Sequence, residues 1–498
     1  MADPSQTIDS ARVLIPLGIT FLAPFILYFC RQKINHREAV SFVAAALSFA
    51  SVLSLVPEVL RGAVWSFYLT TFFPGVSIRF AVNGLSLIFA LVATFLWFFA
   101  TSYNVGYMRA LDEHAQTRYY FCFALAIFGA VGVAFSGSVV TLYLFYEVIT
   151  VSTYPLVAHH QDQESYHGAR KYLVYLMGTS KLFLLPAMIL TYVQCGTLDF
   201  NVTDIANGIF PAGANPTLVS ITFFLYLAGL AKAAIMPLHN WLPSAMVAPT
   251  PVSALLHAVA VVKAGVFSVA VIMLSVFGVN LLSHLGLGVI TAYLAAFTIV
   301  AASIIALTKD DLKARLAYST VSQLSYIVIG VAMLTPMSIT GGLLHIAHHA
   351  FAKITLFFAA GAIYVATHLR RIPQMDGLGR KMPWTFGAFA VASLSMIGMP
   401  PVSGFVTKWY LANGALEIHN NILLLALLAS TLLNAAYFLP IVYRAFFLPP
   451  ALGVDHTHFK EAPLVMVVPL CLTAAISVTL GLFPQLFTSL VNVFGRFY

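Results

Sequence analysis

A polytopic all-α membrane protein is the fold class the sequence predicts, and three observations predict it. Of the 498 residues, 60% are hydrophobic and 8% charged, a balance outside that of soluble domains. Apolar runs of about 20 residues, the length of a bilayer-spanning helix, recur along the whole chain. Basic residues collect in alternate connections between those runs. The amino terminus, MADPSQTIDS, carries no basic residue ahead of the first run, so that run is expected to persist as a helix and not to be cleaved as a signal peptide.

Taken in order, the spans fall near 12–30, 39–60, 81–103, 119–136, 138–158, 172–194, 218–247, 251–277, 280–307, 316–334, 338–366, 384–415, 421–446 and 463–490, about 14 transmembrane helices. The seventh contains Pro237 and Pro243, the twelfth Pro400 and Pro401. Proline removes a backbone donor and crowds the preceding turn, so both are expected to be broken helices. Two breaks five segments apart suggest two inverted five-helix repeats, segments 4–8 and 9–13. The chain then divides into N-terminal helices 1–3 over residues 1–118, a first repeat over 119–277, a second, inverted repeat over 278–447, and a last helix over 448–498.

Charge tests that count. With the N-terminus placed outside, six of the loops on the opposite side, at 31–37, 109–118, 170–171, 309–315, 370–381 and 444–460, hold 16 of the 25 Lys and Arg. The terminal side holds only Arg12, Arg61, Arg79 and Arg496. By the positive-inside rule both termini face away from the cytoplasm, and a bacterial inner (plasma) membrane is the expected location. Topology thus accounts for the net charge of +8, with no nucleic-acid partner required.

The remaining five lysines, Lys181, Lys232, Lys263, Lys353 and Lys408, fall inside spans, and of 17 acidic residues only Glu147 clearly does so. At roughly 2.5–3.5 kcal/mol per lysine at a helix centre, five would cost about 12–17 kcal/mol if unpaired. Snorkelling or a structural partner explains one lysine near a helix end, and Lys181 is the weakest member. Five lysines and a glutamate on six different helices point instead to an ion pathway. A desolvated lysine holds its proton less tightly, and a nearby carboxylate restores the hold. If Glu147 and Lys232 stand about 7 Å apart at an effective dielectric near 20, their coupling is about 2.4 kcal/mol, enough to gate a proton.

A proline break beside Lys232, in GLAKAAIMPLHNWLP, frees backbone groups that survive in a membrane only inside protein or facing internal water. Discontinuous helices with midplane charges are how transporters build ion sites. In GMPPVSGFVTKWYL the pattern recurs, with Pro400 and Pro401 preceding Lys408. The eleventh span, LLHIAHHAFAKITLFF, stacks His345, His349 and Lys353 on one flank at spacing four, while His348 points elsewhere. Such a ladder suits proton relay through bound water. Haem or metal ligation competes, but a cofactor site needs no lysine one turn on. In PTPVSALLHAVAVVKAG, His257 and Lys263 extend the polar line, though a core histidine bonded to a carbonyl remains open for His257.

Other signals are weak. Cys30, Cys122, Cys195 and Cys471 form no CxxC, which argues against iron–sulfur clusters, haem attachment and disulfides. No phosphate-binding glycine loop occurs. The stretch HHQDQESYHGARK reads as an exposed polar loop without fixed geometry in preference to a metal site. No cofactor, metal ligand or catalytic residue is therefore assigned. Three function classes remain: ion movement without covalent catalysis, a redox subunit holding haem or quinone at the histidines, and a structural anchor; the first is preferred.

Finally, GLAKAAIMPLHNWLPSAMVAPTPVSALLHAVAVVKAG, TKDDLKARLAYSTVSQLSYI, HIAHHAFAKITLF and GMPPVSGFVTKWYL resemble the antiporter-like membrane subunits of respiratory complex I, Mrp-type cation/proton antiporters and membrane-bound hydrogenases. The resemblance covers about residues 80–450. It implies fourteen core helices with two inverted five-helix repeats. It also implies proton translocation by Glu147 and Lys232 as a coupled pair, Lys263 as central lysine, the eleventh-helix ladder as relay and Lys408 as terminal lysine. Partners would be other membrane subunits, with H+ and Na+ or K+ as transported ions. Lysine at 408 and the His345–His349–Lys353 ladder are most like the D-type component of Mrp assemblies; a complex I or hydrogenase membrane component is the alternative. The sequence ends at Tyr498 after its fourteenth span, without the lateral helix of the largest complex I paralogue. Asn83 stands where relatives carry an acid, and Lys181 matches no motif of the family.

Overall fold

The computed structural model describes residues 7–451 and 458–496. Its main helices are α1 (Leu14–Phe29), α2 (Ile34–Leu53), α3 (Gly84–Ala110), α4 (Gln116–Ala134), α5 (Val139–Val157), α6 (Gln163–Cys195), α7 (Pro216–Gly229) and α8 (Thr250–Phe277). There follow α9 (Leu287–Leu307), α10 (Leu312–Ala332), α11 (Pro336–Thr367), α12 (Pro383–Ile397), α13 (Ser403–Glu417), α14 (Asn421–Phe447), α15 (Leu464–Leu482) and α16 (Gln485–Gly495). Among the described residues, 11 helices are long and apolar enough to cross a membrane. The 21-residue α10, which opens on Lys313 and Arg315, and the two interrupted spans, α7 and α12–α13, complete the expected order. The protein is an all-α polytopic membrane protein.

Side-chain caps explain where many helices begin. Asn83 accepts from the Ser86 amide at 3.0 Å, Ser138 from Thr141 at 3.2 Å, Asp162 from Ser165 at 2.7 Å and Asp311 from Ala314 at 2.8 Å. Each satisfies a first-turn N–H that has no partner within its own helix. Thr335 and Ser338 form a reciprocal capping box on α11. Asn83, the position where the family pattern carries an acid, is thus a helix cap.

Sequence reading by helical length passed over a small sheet. β1 (Thr7–Asp9) runs parallel to β2 (Val64–Phe73), which pairs antiparallel with β3 (Val76–Val82). The tight turn uses Gly75 at φ +78°, and a Cβ there would lie 2.0 Å from the Gly196 carbonyl oxygen. Tyr68 and Ser77 both donate to Asp199, tying the hairpin to the connection after α6.

The basic loops meet one another on a single face. Arg37 donates to Gln116 Oε1 at 2.7 Å, Arg109 pairs with Glu38, and Arg118 reaches the His159 carbonyl at 2.9 Å. Ile372 N–H donates to the Asp310 carbonyl at 2.8 Å, and Arg444 holds Asp376 at 2.7 Å. These contacts tie the six basic connections into two groups of three, each group on one side of the membrane as an even helix count between its members requires. At the centre, the spanning window of α8 is fully enclosed and that of α11 nearly so. Those two helices carry His257, Lys263 and the histidine ladder, so these titratable side chains sit on the least exposed helices.

Candidate functional site

Both breaks resolve into hydrogen bonds made by the site itself. After α7 the chain turns through Ala231–Ala233, and Trp241 Nε1 donates to the Ala231 carbonyl at 3.0 Å. The Met236 amide donates to Thr298 Oγ1 at 3.2 Å, and the Lys232 amide to Tyr146 Oη at 3.1 Å. After α12, Lys408 Nζ donates to the freed Ile397 carbonyl at 2.8 Å, and Asn434 Nδ2 to that of Met396 at 3.1 Å. The backbone groups released by the interruptions are therefore met inside the protein, as an apolar medium demands.

Lys232 is fully buried, its Nζ 2.6 Å from the Tyr146 carbonyl and 2.8 Å from Thr150 Oγ1, and it lies 3.1 Å from the Tyr146 ring centroid. Glu147, the next residue, faces away from that bond: its Oε1 is 3.7 Å from Lys181 Nζ. The ion-pair partner of Glu147 is thus Lys181, the lysine the sequence ranked weakest, and Lys232 is bound directly to a carbonyl and a hydroxyl. Lys181 lies in a π-helical turn, Ser180–Leu184, that swings it toward α5, where it also donates to Tyr143. The π-turn is the feature that sequence periodicity could not supply.

Lys263, on α8, is fully buried with Nζ 2.7 Å from His349 Nδ1. Close helix approach makes room for it. A Cβ on Gly265 would come within 2.3 Å of Ala233 N and the Lys232 carbonyl carbon, so α8 rests directly on the α7 break. The His349 and His345 ring centroids are 5.5 Å apart, and His345 Nε2 is 3.0 Å from Gln323 Oε1. The His345 ring stands 5.5 Å from that of Tyr326, and Lys408 Nζ lies 5.1 Å from the same Tyr326 centroid. Lys263, His349, His345, Tyr326 and Lys408 therefore stand in one row across α8, α11, α10 and α13, joined by a hydrogen bond at Lys263–His349 and by ring contacts beyond it.

The other two members lie beside this line. Lys353, also fully buried, turns to α10 and donates to Ser319 Oγ at 3.0 Å and the Leu316 carbonyl at 3.2 Å. His257 falls in a π-helical turn, Leu255–Val259, with its ring 4.8 Å from Phe357 and no hydrogen bond to either nitrogen. A carbonyl-bound core histidine, the other reading of His257, is not what the geometry contains. His348 points off the ladder, to Thr407 Oγ1 at 2.9 Å. Gln323 and Tyr326 escaped the sequence reading, although two polar side chains three residues apart in the apolar stretch STVSQLSYI were a usable signal. A metal on the ladder would compete with the Lys263 ammonium for His349 Nδ1, so the ladder suits proton transfer better than cation ligation.

A cavity of about 770 Å³ opens among the basic loops, lined by Tyr107, Asp162, Lys313 and Arg370 and reaching Thr250 of α8 and Ala360 of α11. His257 and Lys353 each lie seven residues, or about 10 Å of helix, further along those same helices.

With this geometry in view, comparison with known proteins is direct. The family described as NADH:quinone oxidoreductase/Mrp antiporter, TM matches residues 136–434, the region that holds every member of the line. The chain belongs to this family. It is 32% identical to NADH-quinone oxidoreductase subunit N of Desulforudis audaxviator, over 96% of this chain and 93% of that protein. It is 29% identical to a probable K(+)/H(+) antiporter component, of the A/B type, from Rhizobium meliloti, over 98% of this chain but 49% of that longer protein. A chain of the Mrp complex from Dietzia superimposes with a TM-score of 0.84 at 21% identity, covering 98% of this chain and 97% of that one, which shows a shared fold. The protein is accordingly an antiporter-like membrane subunit of the complex I/Mrp type.

Proposed function

We propose that this protein moves protons along the line Lys263–His349–His345–Tyr326–Lys408, with Glu147, Lys181 and Lys232 as the coupled charges at its other end and His257 and Lys353 as branches toward the basic-loop cavity. The observation that carries the reading is the 2.7 Å contact between Lys263 and His349 at the buried centre, from which ring-to-ring steps of 5.5 Å lead to Tyr326. Two titratable groups in direct hydrogen-bond contact inside a membrane can exchange a proton without crossing lipid. Residues 119–277 and 278–447 act as the two halves of an inverted repeat, each contributing one broken helix and one lysine beside the break. Basic loops and cavity face the cytoplasm, both termini the opposite side, in a bacterial inner membrane.

Our reading of the partners is a set of further membrane subunits, and of the assembly an Mrp-type cation/proton antiporter in which this chain takes the D-type role, exchanging H+ for Na+ or K+. One observation favours a second reading, a proton-pumping component of a complex I-like oxidoreductase: the 32%-identical subunit N matches along 93% of its own length. The experiment is H+ movement by the whole complex in proteoliposomes, with Lys232→Ala and Lys408→Ala. Loss of H+ movement in both, with assembly intact, supports translocation; unchanged rates reduce the chain to an anchor. Dependence on added Na+ or K+ favours the antiporter, and dependence on quinone reduction the pump.

A further inference from the structure

At the basic-loop face, the connection between α3 and α4 meets the connection between α5 and α6. The first brings Glu113 and His114, the second His159 and His160. His159 Nε2 lies 3.4 Å and His160 Nδ1 3.7 Å from the same oxygen, Glu113 Oε2. One donor atom each from Glu113, His114 and His159 falls within 4.8 Å of the others, and the His114 and His159 ring centroids are 4.8 Å apart. His159 is fully buried, and neither ring nitrogen makes an aligned hydrogen bond. Within HHQDQESYHGARK the run His160–Glu164 is exposed, as the sequence reading has it, while His159 is buried and the residues from Gln163 onward are helical.

The backbone holds these side chains in place. Asp112 and Ala115 take left-handed conformations, φ 47° and 50°, on either side of Glu113 and His114. The Glu113 amide donates to the Met108 carbonyl at 3.0 Å, and Arg118 clamps the His159 carbonyl at 2.9 Å. Nearby Asp162 is committed to capping α6. Burying an imidazole without an aligned hydrogen bond is costly, and a bound cation offsets that cost. Tetrahedral Zn2+, with nitrogen and oxygen ligands at about 2.0–2.1 Å, sets adjacent donors about 3.3–3.4 Å apart. The His159–Glu113 separation already has this value, and the His160–Glu113 separation is slightly longer.

We propose that Glu113, His114 and His159, completed by His160, form a binding site for a divalent transition-metal cation of the Zn2+ class on the wall of the basic-loop cavity. Two imidazoles and a carboxylate match the nitrogen/oxygen ligand sets that this ion prefers, with a third imidazole for closure. The four side chains come from two separate connections, so the ion would pin α3–α4 to α5–α6. The inference stands apart from proton movement, because none of the four belongs to the buried line.

The test is Zn2+ titration of the purified full chain in detergent, in competition with a chromophoric chelator, and Co2+ substitution read by visible absorption. The expected result is one Zn2+ per chain and an intense tetrahedral Co2+ band. His114→Ala, at an exposed position, should weaken binding about tenfold or more without lowering the melting temperature, Glu113→Gln likewise, and the control His368→Ala should leave it unchanged. Absence of stoichiometric Zn2+, or equal affinity in wild type, His114→Ala and Glu113→Gln, overturns the site.

Discussion

Replacing Lys263 by methionine keeps the side chain's length and apolar stem and removes only the ammonium. That ammonium is 2.7 Å from His349 Nδ1, and His349 Nε2 has no hydrogen bond of its own. Lys263→Met therefore leaves a buried imidazole with none. A buried hydrogen bond involving a charged group is worth about 1.5–3 kcal/mol. If that amount falls on the barrier for crossing the centre of the line, H+ movement slows about 10- to 150-fold at 1.36 kcal/mol per decade. The assay is acidification of proteoliposomes holding the assembled complex, followed with an entrapped pH dye. Lys263→Arg is the decisive companion: it keeps the positive charge and a donor toward His349, but guanidinium does not give up its proton. Both variants should be slow. A fast Lys263→Arg would mean that the charge matters and the proton does not; a fast Lys263→Met, in an intact complex, would refute the line altogether.

Lys181→Met removes the partner 3.7 Å from Glu147; Coulomb attraction there is about 4–5 kcal/mol at an effective dielectric near 20, and even a quarter of it makes H+ movement about five- to eightfold slower in the same liposome assay. Gly265→Ala forces a Cβ to within 2.3 Å of the Ala233 nitrogen, a backbone atom with nowhere to go, and should cost about 1–3 kcal/mol in thermal unfolding, whereas Gly178→Ala, with nothing within 4 Å, should cost nothing. Ser319→Asp puts a carboxylate against Lys353, now 3.0 Å from the serine hydroxyl, and should slow H+ movement while Ser319→Ala leaves it near wild type.

Much of the fold was legible because membrane helices announce themselves through composition. Interruptions at Pro237 and Pro400 were legible too, since proline acts on the backbone wherever it stands. The spacing of His345 and His349 gave their mutual contact, and Lys353 lies on the same flank yet bonds to α10, because helical spacing says which side a residue faces and not which neighbour meets it. Lys181 was undervalued for a related reason: a π-turn at Ser180–Leu184 shifts the phase of the helix, and hydropathy carries no trace of an added residue per turn. The hairpin at Val64–Val82 was passed over because its alternation falls between two spans and was absorbed into a connection.

Three of the ammonium groups, Lys232 and Lys353 buried and Lys408 partly so, share a feature that composition cannot show. Lys232 donates to the Tyr146 carbonyl, Lys353 to that of Leu316 and Lys408 to that of Ile397, each alongside a serine or threonine hydroxyl. A carbonyl is a fixed dipole. It solvates an ammonium but does not titrate, so a lysine that loses its proton leaves no unbalanced negative charge behind. Had carboxylates filled those places, each lysine would be one half of a buried ion pair, and removing either charge would strand the other at a cost of about 3–5 kcal/mol. Among the described residues, the carboxylate within the line's reach, Glu147, stands at its edge with Lys181. Lysines held by dipoles along the interior and a charge pair at one end give a chain of sites whose occupancy can change in sequence, and at Lys408 it is the helix break that frees the Ile397 carbonyl for the ammonium.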